Sequence, residues 1–437
     1  MNKTDNRMQA SGTLQICIDL LNHLYESKFP FAELRPKQLS AEVCFTGDYD
    51  FLYDGTRKQE LIRKIILFLK DRGASFFIFL KNSQKTQVQI FDYGTEKKII
   101  LEFWSAAVIS PDIGPFHYST ALTWQDIEKS VAPSQSGFSI HPNIRALIYI
   151  THLRARKKDL GKPEIIARFK YFSEHCLPDG PAYEQVKDVL EKLAAGKETL
   201  REANGNALSL LKESASFRPV AAIFYVMKTK VKDVFPLFPS RRIMAVVGPD
   251  GTGKTTLLKK AIPANGNDRL LYYKFKDLYR KHNGLDKLIR KYYPDRSLKR
   301  NQIDEKVYGI HFVWSFIVFF FFRIFHSGKR IVLDRYFYDL LLTGIRNQNQ
   351  MAREVWWHGL GCFLTPRPHC LFILDVPYET AQERKNEISK ENWDLTFHHY
   401  LKCYFSKPSR YLAVCNTDTT VENSAAFFNF VKQAILK

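Results

Sequence analysis

The chain lacks any Cys-x-x-Cys pair; its seven cysteines, Cys17, Cys44, Cys176, Cys362, Cys370, Cys403 and Cys415, are odd in number and scattered. That pattern excludes a small disulfide framework, gives no sign of zinc, and suits reduced thiols in a cytoplasm. The opening stretch MNKTDNRMQASGTLQ has no charged-then-apolar leader pattern, so no export is expected. Long apolar runs are missing too. The segment IHFVWSFIVFFFFRIF (310–325) is sixteen residues long and contains His311 and Arg323, short of the roughly 20 apolar residues that span a bilayer. It fits a helix buried against a sheet, or one touching a membrane surface. No internal repeat or long low-complexity tract occurs. Acidic residues are the minority, 45 against 65 basic, and the formal net charge of +20 implies attraction to phosphate-bearing partners without naming them.

What is present describes an ordinary folded protein of two or three domains: 437 residues, 45% apolar and 25% charged. Up to about residue 130 the pattern is α+β. RKQELIRKIILFLKDRG places Leu61, Ile62, Ile65, Ile66 and Leu69 at helical spacing before Gly73. EVCFTGDYDFLYD, SFFIFLKN, TQVQIFDYG and KKIILEFW read as short strands. Residues 131–238 read as a helical extension and linker, broken by Pro236 and Pro239 in VFPLFPSRR. From residue 239 to 437 short apolar strands, IMAVV, LLYYKF, RIVLD, HCLFILDV and YLAVC, alternate with helical segments. This predicts an α/β parallel sheet covered on both faces, with ligands at the strand carboxyl ends, where the glycine loop, Asp334 and Asp375 fall.

The stretch VVGPDGTGKTT (246–256) carries the plainest chemistry. An apolar strand precedes Gly248, Gly253, Lys254 and Thr255, and a helix-compatible run follows. Backbone N–H groups of Gly248, Gly251, Thr252, Gly253 and Thr256 would surround phosphates, Lys254 would reach the terminal ones, and the Thr255 hydroxyl would ligate magnesium. ATP and Mg2+ are therefore the expected cofactors.

A second charged feature follows the loop. Residues 274–300 hold ten Lys or Arg against three Asp, with Tyr272, Tyr273, Tyr279, Tyr292 and Tyr293 beside or among them. This fits either a solvated helix face with inward tyrosines or a clamp for an anionic acceptor or polyanion.

With these residues in view, 241–437 resembles the thymidylate kinase family of P-loop nucleotide kinases. The match rests on GPDGTGKTT, VLDRY (332–336), PHCLFILDVPYETAQERK (368–385) and the closing strand YLAVCNTD. The resemblance implies that Asp334 and Arg335 form the family's Asp-Arg motif, the arginine gripping phosphate and the aspartate serving the magnesium and acceptor side. It matches Asp250 to an acidic loop position and Arg384 to the lid arginine. Gly251 stands where some members keep a loop arginine. Phosphoryl transfer needs positioning and charge neutralisation, so a lysine, a magnesium ion and arginines are the inventory it calls for.

The substrate side departs from the family. Its Phe-Arg-Glu-Pro-Gly stretch has no counterpart; KFKDLYRKHNG and the basic insertion lie there instead. The base-reading arginine would fall near Val313, and the lid RKNEISKENWD is short of a second arginine. An acceptor other than thymidylate, small and anionic, is expected.

The N-terminal half faintly resembles minimal nucleotidyltransferases. Asp48 and Asp50 in GDYDFLYD alternate and so share a strand face, and Glu102 in ILEFW is the third carboxylate such a two-metal site requires. The Gly-Ser pair that family keeps ahead of its Asp-x-Asp is missing. Besides a phosphotransferase, the sequence allows a regulatory or scaffold protein that holds nucleotide without turnover, or a nucleotidyltransferase with a kinase-like sensor; it also leaves room for a homodimer.

Overall fold

Aromatic and β-branched runs become strands throughout the chain, which the computed structural model describes over residues 3–34, 48–80, 84–109, 120–134, 137–155, 160–214, 224, 240–262, 270–275, 277, 300–326, 329–343, 353–354, 357–384, 388–416 and 420–436. Two units emerge: Met1–Phe68, Leu80–Gln89 and Ile99–Pro236 form one, and Leu69–Phe79, Ile90–Lys98 and Leu237–Lys437 the other.

The elements up to residue 214 are α1 (Lys3–Glu26), β1 (Phe31–Glu33), β2 (Asp48–Tyr53), α2 (Lys58–Asp71), β3 (Phe76–Leu80), β4 (Lys85–Asp92), β5 (Lys97–Trp104), β6 (Ala106–Ile109), β7 (Thr120–Thr123), α3 (Trp124–Ile127), β8 (Val131–Ser134), β9 (Gly137–Ile140), α4 (Pro142–Ala155), α5 (Pro163–His175), α6 (Tyr183–Ala194) and α7 (Leu200–Ser214). The helix expected before Gly73 is α2, and Gly73 ends it in the left-handed region (φ 66°) with its N–H on Lys70 O. In the first unit β2 runs parallel to β5 and antiparallel to β1, while β9 joins β1 and carries β8. Leu52 and Trp124 share one core with Ile144 and Leu147 of α4, Phe169 of α5, Leu190 of α6 and Leu211 of α7. The helical segment thus buries its apolar stripes against the strands that precede it.

The second unit continues with β10 (Ser240–Val247), α8 (Lys254–Ala261), β11 (Leu270–Lys274), α9 (Arg300–Phe325), β12 (Arg330–Asp334), α10 (Phe337–Leu340), β13 (Leu342–Thr343), β14 (Arg353–Glu354), α11 (His358–Leu364), β15 (Pro368–Asp375), α12 (Tyr378–Arg384), α13 (Lys390–Ser406), β16 (Tyr411–Asn416) and α14 (Val421–Leu436). All five strands expected from the apolar runs form. They lie in the order β11-β12-β10-β15-β16, every neighbouring pair parallel, and β3 adds antiparallel to β16. Every residue of β15 and β16 is buried, as a sheet covered on both faces demands. On one face Phe427 and Phe428 of α14 pack on Phe372, with Leu257 and Leu258 of α8 in the same core.

The aromatic helix corrects one expectation. Among the α9 residues whose side chains are described, from Phe312 onward, the stripe of Phe312, Ser315, Phe319 and Phe322 is buried, whereas Val313, Ile317, Phe320, Phe321, Ile324 and Phe325 are exposed. Apolarity all round the helix does not say which side finds a partner; here one side does. Among the described residues no helix is long and apolar enough to cross a membrane.

Candidate active site

The site is built where β10 ends. Gly248 follows Val247 with φ 153°, and a Cβ there would stand 2.3 Å from Leu374 O, so only glycine lets the loop pass this close to β15. The loop closes at Gly253, which caps α8 from the left-handed region (φ 85°). Helix α8 therefore starts with Lys254, whose side chain folds back over the loop. Its ammonium donates to Gly248 O at 2.7 Å and to Pro249 O at 2.6 Å, and lies 3.9 Å from Asp250 Oδ1. Burial lowers its pKa to about 8, with Arg335 pushing the same way and Asp250, Asp339 and Asp334 opposing. It is a desolvated cation held by dipoles, which favours an incoming anion.

Strand register brings in the second element. Val246 pairs with Asp334, so β12 ends beside the loop. The Thr255 hydroxyl donates to Asp334 Oδ2 at 3.0 Å, and Tyr272 OH of β11 donates to the same oxygen at 3.2 Å. Burial, then Asp334, raise the Tyr272 pKa, so the phenol stays a donor. A hydroxyl and a carboxylate meeting at a helix start could hold a divalent cation.

Arg335 has φ 74°, a left-handed conformation unusual for a side-chain residue. Its N–H donates to Val246 O at 2.8 Å, which helps hold the turn. Its guanidinium pairs with Asp250 and lies 3.6 Å from Asp339 Oδ1. Burial opposes its charge, but Asp339 and Asp250 outweigh that and raise its pKa. Asp339 is itself set by the Tyr400 hydroxyl at 2.9 Å and the Tyr336 N–H at 3.1 Å.

Asp250, Lys254, Thr255, Asp334 and Arg335 line one pocket of about 530 Å³ with Gly251, Gly253 and Thr256. Arg384, at the end of α12, and Lys274, at the end of β11, complete it. Among the described residues four cations, Lys254, Lys274, Arg335 and Arg384, face two carboxylates, Asp250 and Asp334. That excess suits a polyphosphate chain with a bound divalent ion.

No protein-family model matches the chain, and no curated protein matches it.

The structure thus gathers Asp250, Lys254, Thr255, Asp334, Arg335 and Arg384 from three separate stretches of the sequence. It adds Lys274, Tyr272, Asp339 and Tyr400, of which Lys274 was detectable as the residue ending a strand at the loop edge. Asp375 reaches that edge but does not line the pocket; its Oδ2 lies 3.6 Å from Lys70 Nζ, and burial raises its pKa to about 6. Of the basic stretch 274–300, all but residues 274, 275, 277 and 300 lies outside the described residues.

In the first unit the three predicted carboxylates stand close. Asp50 pairs with Glu102 across β2 and β5, with Asp48 opposite Ile100. Asp50 and Glu102 each have a partner of their own, however. Lys85 forms a buried ion pair with Glu102, Gln87 donates to Glu102 Oε1 at 2.5 Å, and Trp104 Nε1 donates to Asp50 Oδ1 at 3.0 Å. Burial raises the Glu102 pKa, Lys85 draws it down, and Asp48 and Asp50 add to the rise.

Proposed function

We propose that the C-terminal unit is a Mg-ATP-dependent phosphotransferase acting on a small anionic acceptor other than thymidylate. The observation that carries this reading is the convergence of Lys254, Thr255, Asp334, Arg335 and Arg384 on one pocket, from the start of α8, the end of β12 and the end of α12. Lys254 would leave the loop carbonyls for the terminal phosphates, and the loop N–H groups would cradle them. Thr255 and Asp334 would hold the magnesium ion, which when bound neutralises charge on the phosphate oxygens. Arg335, held by Asp250 and Asp339, presents its guanidinium with little freedom left to lose. Arg384, at the end of α12, would meet the transferred group.

Two observations support an acceptor other than thymidylate. The family's base-reading arginine would fall near Val313, an exposed apolar residue in the aromatic helix. Lys274, where the segment that replaces that family's substrate stretch begins, adds a cation to the pocket lining. For the first unit we favour a structural role for Asp50 and Glu102, because Lys85, Gln87 and Trp104 already engage them.

The test is purified protein with magnesium and ATP against a panel of nucleoside and sugar monophosphates, read by product mass. A phosphorylated product from one class supports the reading. Tight ATP binding with no product from any class would favour a nucleotide-binding regulatory protein, and robust thymidylate phosphorylation would refute the acceptor assignment.

A further inference from the structure

The phosphate site leaves unused a polar cluster in the core of the second unit. Helix α11 carries His358 and Cys362 four residues apart, and α13 carries His399 and Cys403 at the same spacing. Side chains four apart share a helix face, so each helix offers one imidazole and one thiol on one side. The two pairs meet. Cys362 Sγ lies 3.1 Å from Cys403 Sγ and 3.4 Å from His358 Nε2, while Cys403 Sγ lies 3.8 Å from His358 Nε2. His358 Nε2 is 3.0 Å from His399 Nδ1. One ligand atom from each of His358, His399 and Cys403 falls within 4.8 Å of the others, and all four residues are buried.

A tetrahedral ion with nitrogen at about 2.0 Å and sulfur at about 2.3 Å sets its ligand atoms roughly 3.3–3.8 Å apart. The two nitrogen–sulfur separations, 3.4 and 3.8 Å, fall in that range, and the nitrogen–nitrogen and sulfur–sulfur separations, 3.0 and 3.1 Å, fall a few tenths of an ångström below it. The outer contacts orient the rings as metal-bound histidines require. His399 Nε2, 3.8 Å from Cys403 Sγ, donates to Tyr338 O at 2.6 Å, which leaves Nδ1, 3.0 Å from His358 Nε2 and 3.7 Å from Glu354 Oε1, as the ligand atom; His358 Nδ1 lies 3.4 Å from Glu354 Oε2, which leaves Nε2. Both cysteines are free thiols.

We propose that His358, Cys362, His399 and Cys403 form a closed structural zinc site. Two thiolates with two imidazoles in a buried tetrahedral set select zinc over hard cations, and a closed set leaves no position for substrate. The site would pin α11 to α13 behind the phosphate pocket. His399 touches Tyr338 O, its neighbour Tyr400 donates to Asp339, and Asp339 faces Arg335. The assignment stands whether or not the pocket transfers phosphate.

The experiment is elemental analysis of the full-length protein purified without a metal-chelating resin. About one zinc per chain is expected, with replacement by cobalt giving ligand-field and thiolate charge-transfer bands of a tetrahedral site. The double variant Cys362→Ser, Cys403→Ser should lose the metal and those bands. Cys370→Ser, another buried cysteine outside the cluster, should keep both. Should the double variant fail to fold, the wild-type stoichiometry and cobalt spectrum still decide. Wild-type protein that takes up neither zinc nor cobalt, zinc retained equally by the double variant, or a Cys362–Cys403 disulfide in its peptide map would overturn the proposal.

Discussion

Thr255 and Asp334 are 79 residues apart in the chain and 3.0 Å apart in the fold, the threonine hydroxyl donating to the carboxylate. The contact depends on β12 lying beside β10 in the register that pairs Val246 with Asp334. It joins a group read from the glycine loop to one read from a strand end, and three predictions start from it and its neighbours.

Asp334→Asn keeps the shape and removes the charge. The magnesium concentration for half-maximal rate should rise by at least about 10-fold, the lower end of what losing even a supporting partner of a metal site costs. A magnesium titration of turnover reads this out; an unchanged midpoint would remove Asp334 from the cation site.

Lys254→Ala should abolish tight ATP binding while the fold survives, since the lysine lies at the pocket wall and its partners are loop carbonyls. The wild-type pH profile carries a further signature. With a free-state pKa of about 8, Lys254 is charged below that pH both free and bound, so its contribution to affinity is flat there. A bound phosphate chain favours the ammonium and raises its pKa. Affinity should therefore fall as pH rises beyond about 8, by up to tenfold per unit. Calorimetry across pH 6 to 10, roughly the span that brackets these values, should find proton uptake on binding at the upper end. Affinity independent of pH would contradict this role.

Arg335→Ala and Arg384→Ala should each lower the maximal rate far more than ATP affinity, by about 10³-fold or more on the pattern of arginine fingers. Arg335→Lys should not rescue, because a point charge cannot reproduce the fork held between Asp250 and Asp339. Equal rates in wild type and both alanine variants would leave the pocket a binding site only.

Gly248→Ala tests the loop's backbone. The added Cβ would lie 2.3 Å from Leu374 O, so the loop must shift from β15. Thermal unfolding should show a loss of about 1–3 kcal/mol, the range for strain at a special backbone position, together with weakened ATP binding. A variant as stable as wild type with normal affinity would show that the loop has room here.

The basic stretch bears on the acceptor. Neutralising Lys287, Arg290 and Lys291 together should raise the acceptor Michaelis constant and flatten its salt dependence, with little change in ATP affinity. Exposed charges are screened beyond about 8–10 Å at physiological ionic strength, whereas Lys254 is buried. A salt profile of the acceptor constant that does not change in the triple variant would exclude these residues as the capture element.

Local pattern determined much of this protein. The strand before Gly248, the glycines of the loop and the helix after Lys254 are set by residues a few positions apart, and so are the apolar runs that became β10, β11, β12, β15 and β16. Such signals are legible because the backbone preferences of a glycine turn or an apolar run act over short range. Tertiary structure alone decided the rest. Strand order sent Asp334 to Thr255 and Asp375 to Lys70, although both aspartates end apolar strands. Packing buried one face of α9 and exposed the other, though the sequence is apolar around both. The same holds for His358 and Cys362 against His399 and Cys403: each helix spells out its own pair, but only the packing of α11 on α13 brings the four side chains together. Contacts between distant segments follow from strand order, register and helix packing, which no short stretch encodes.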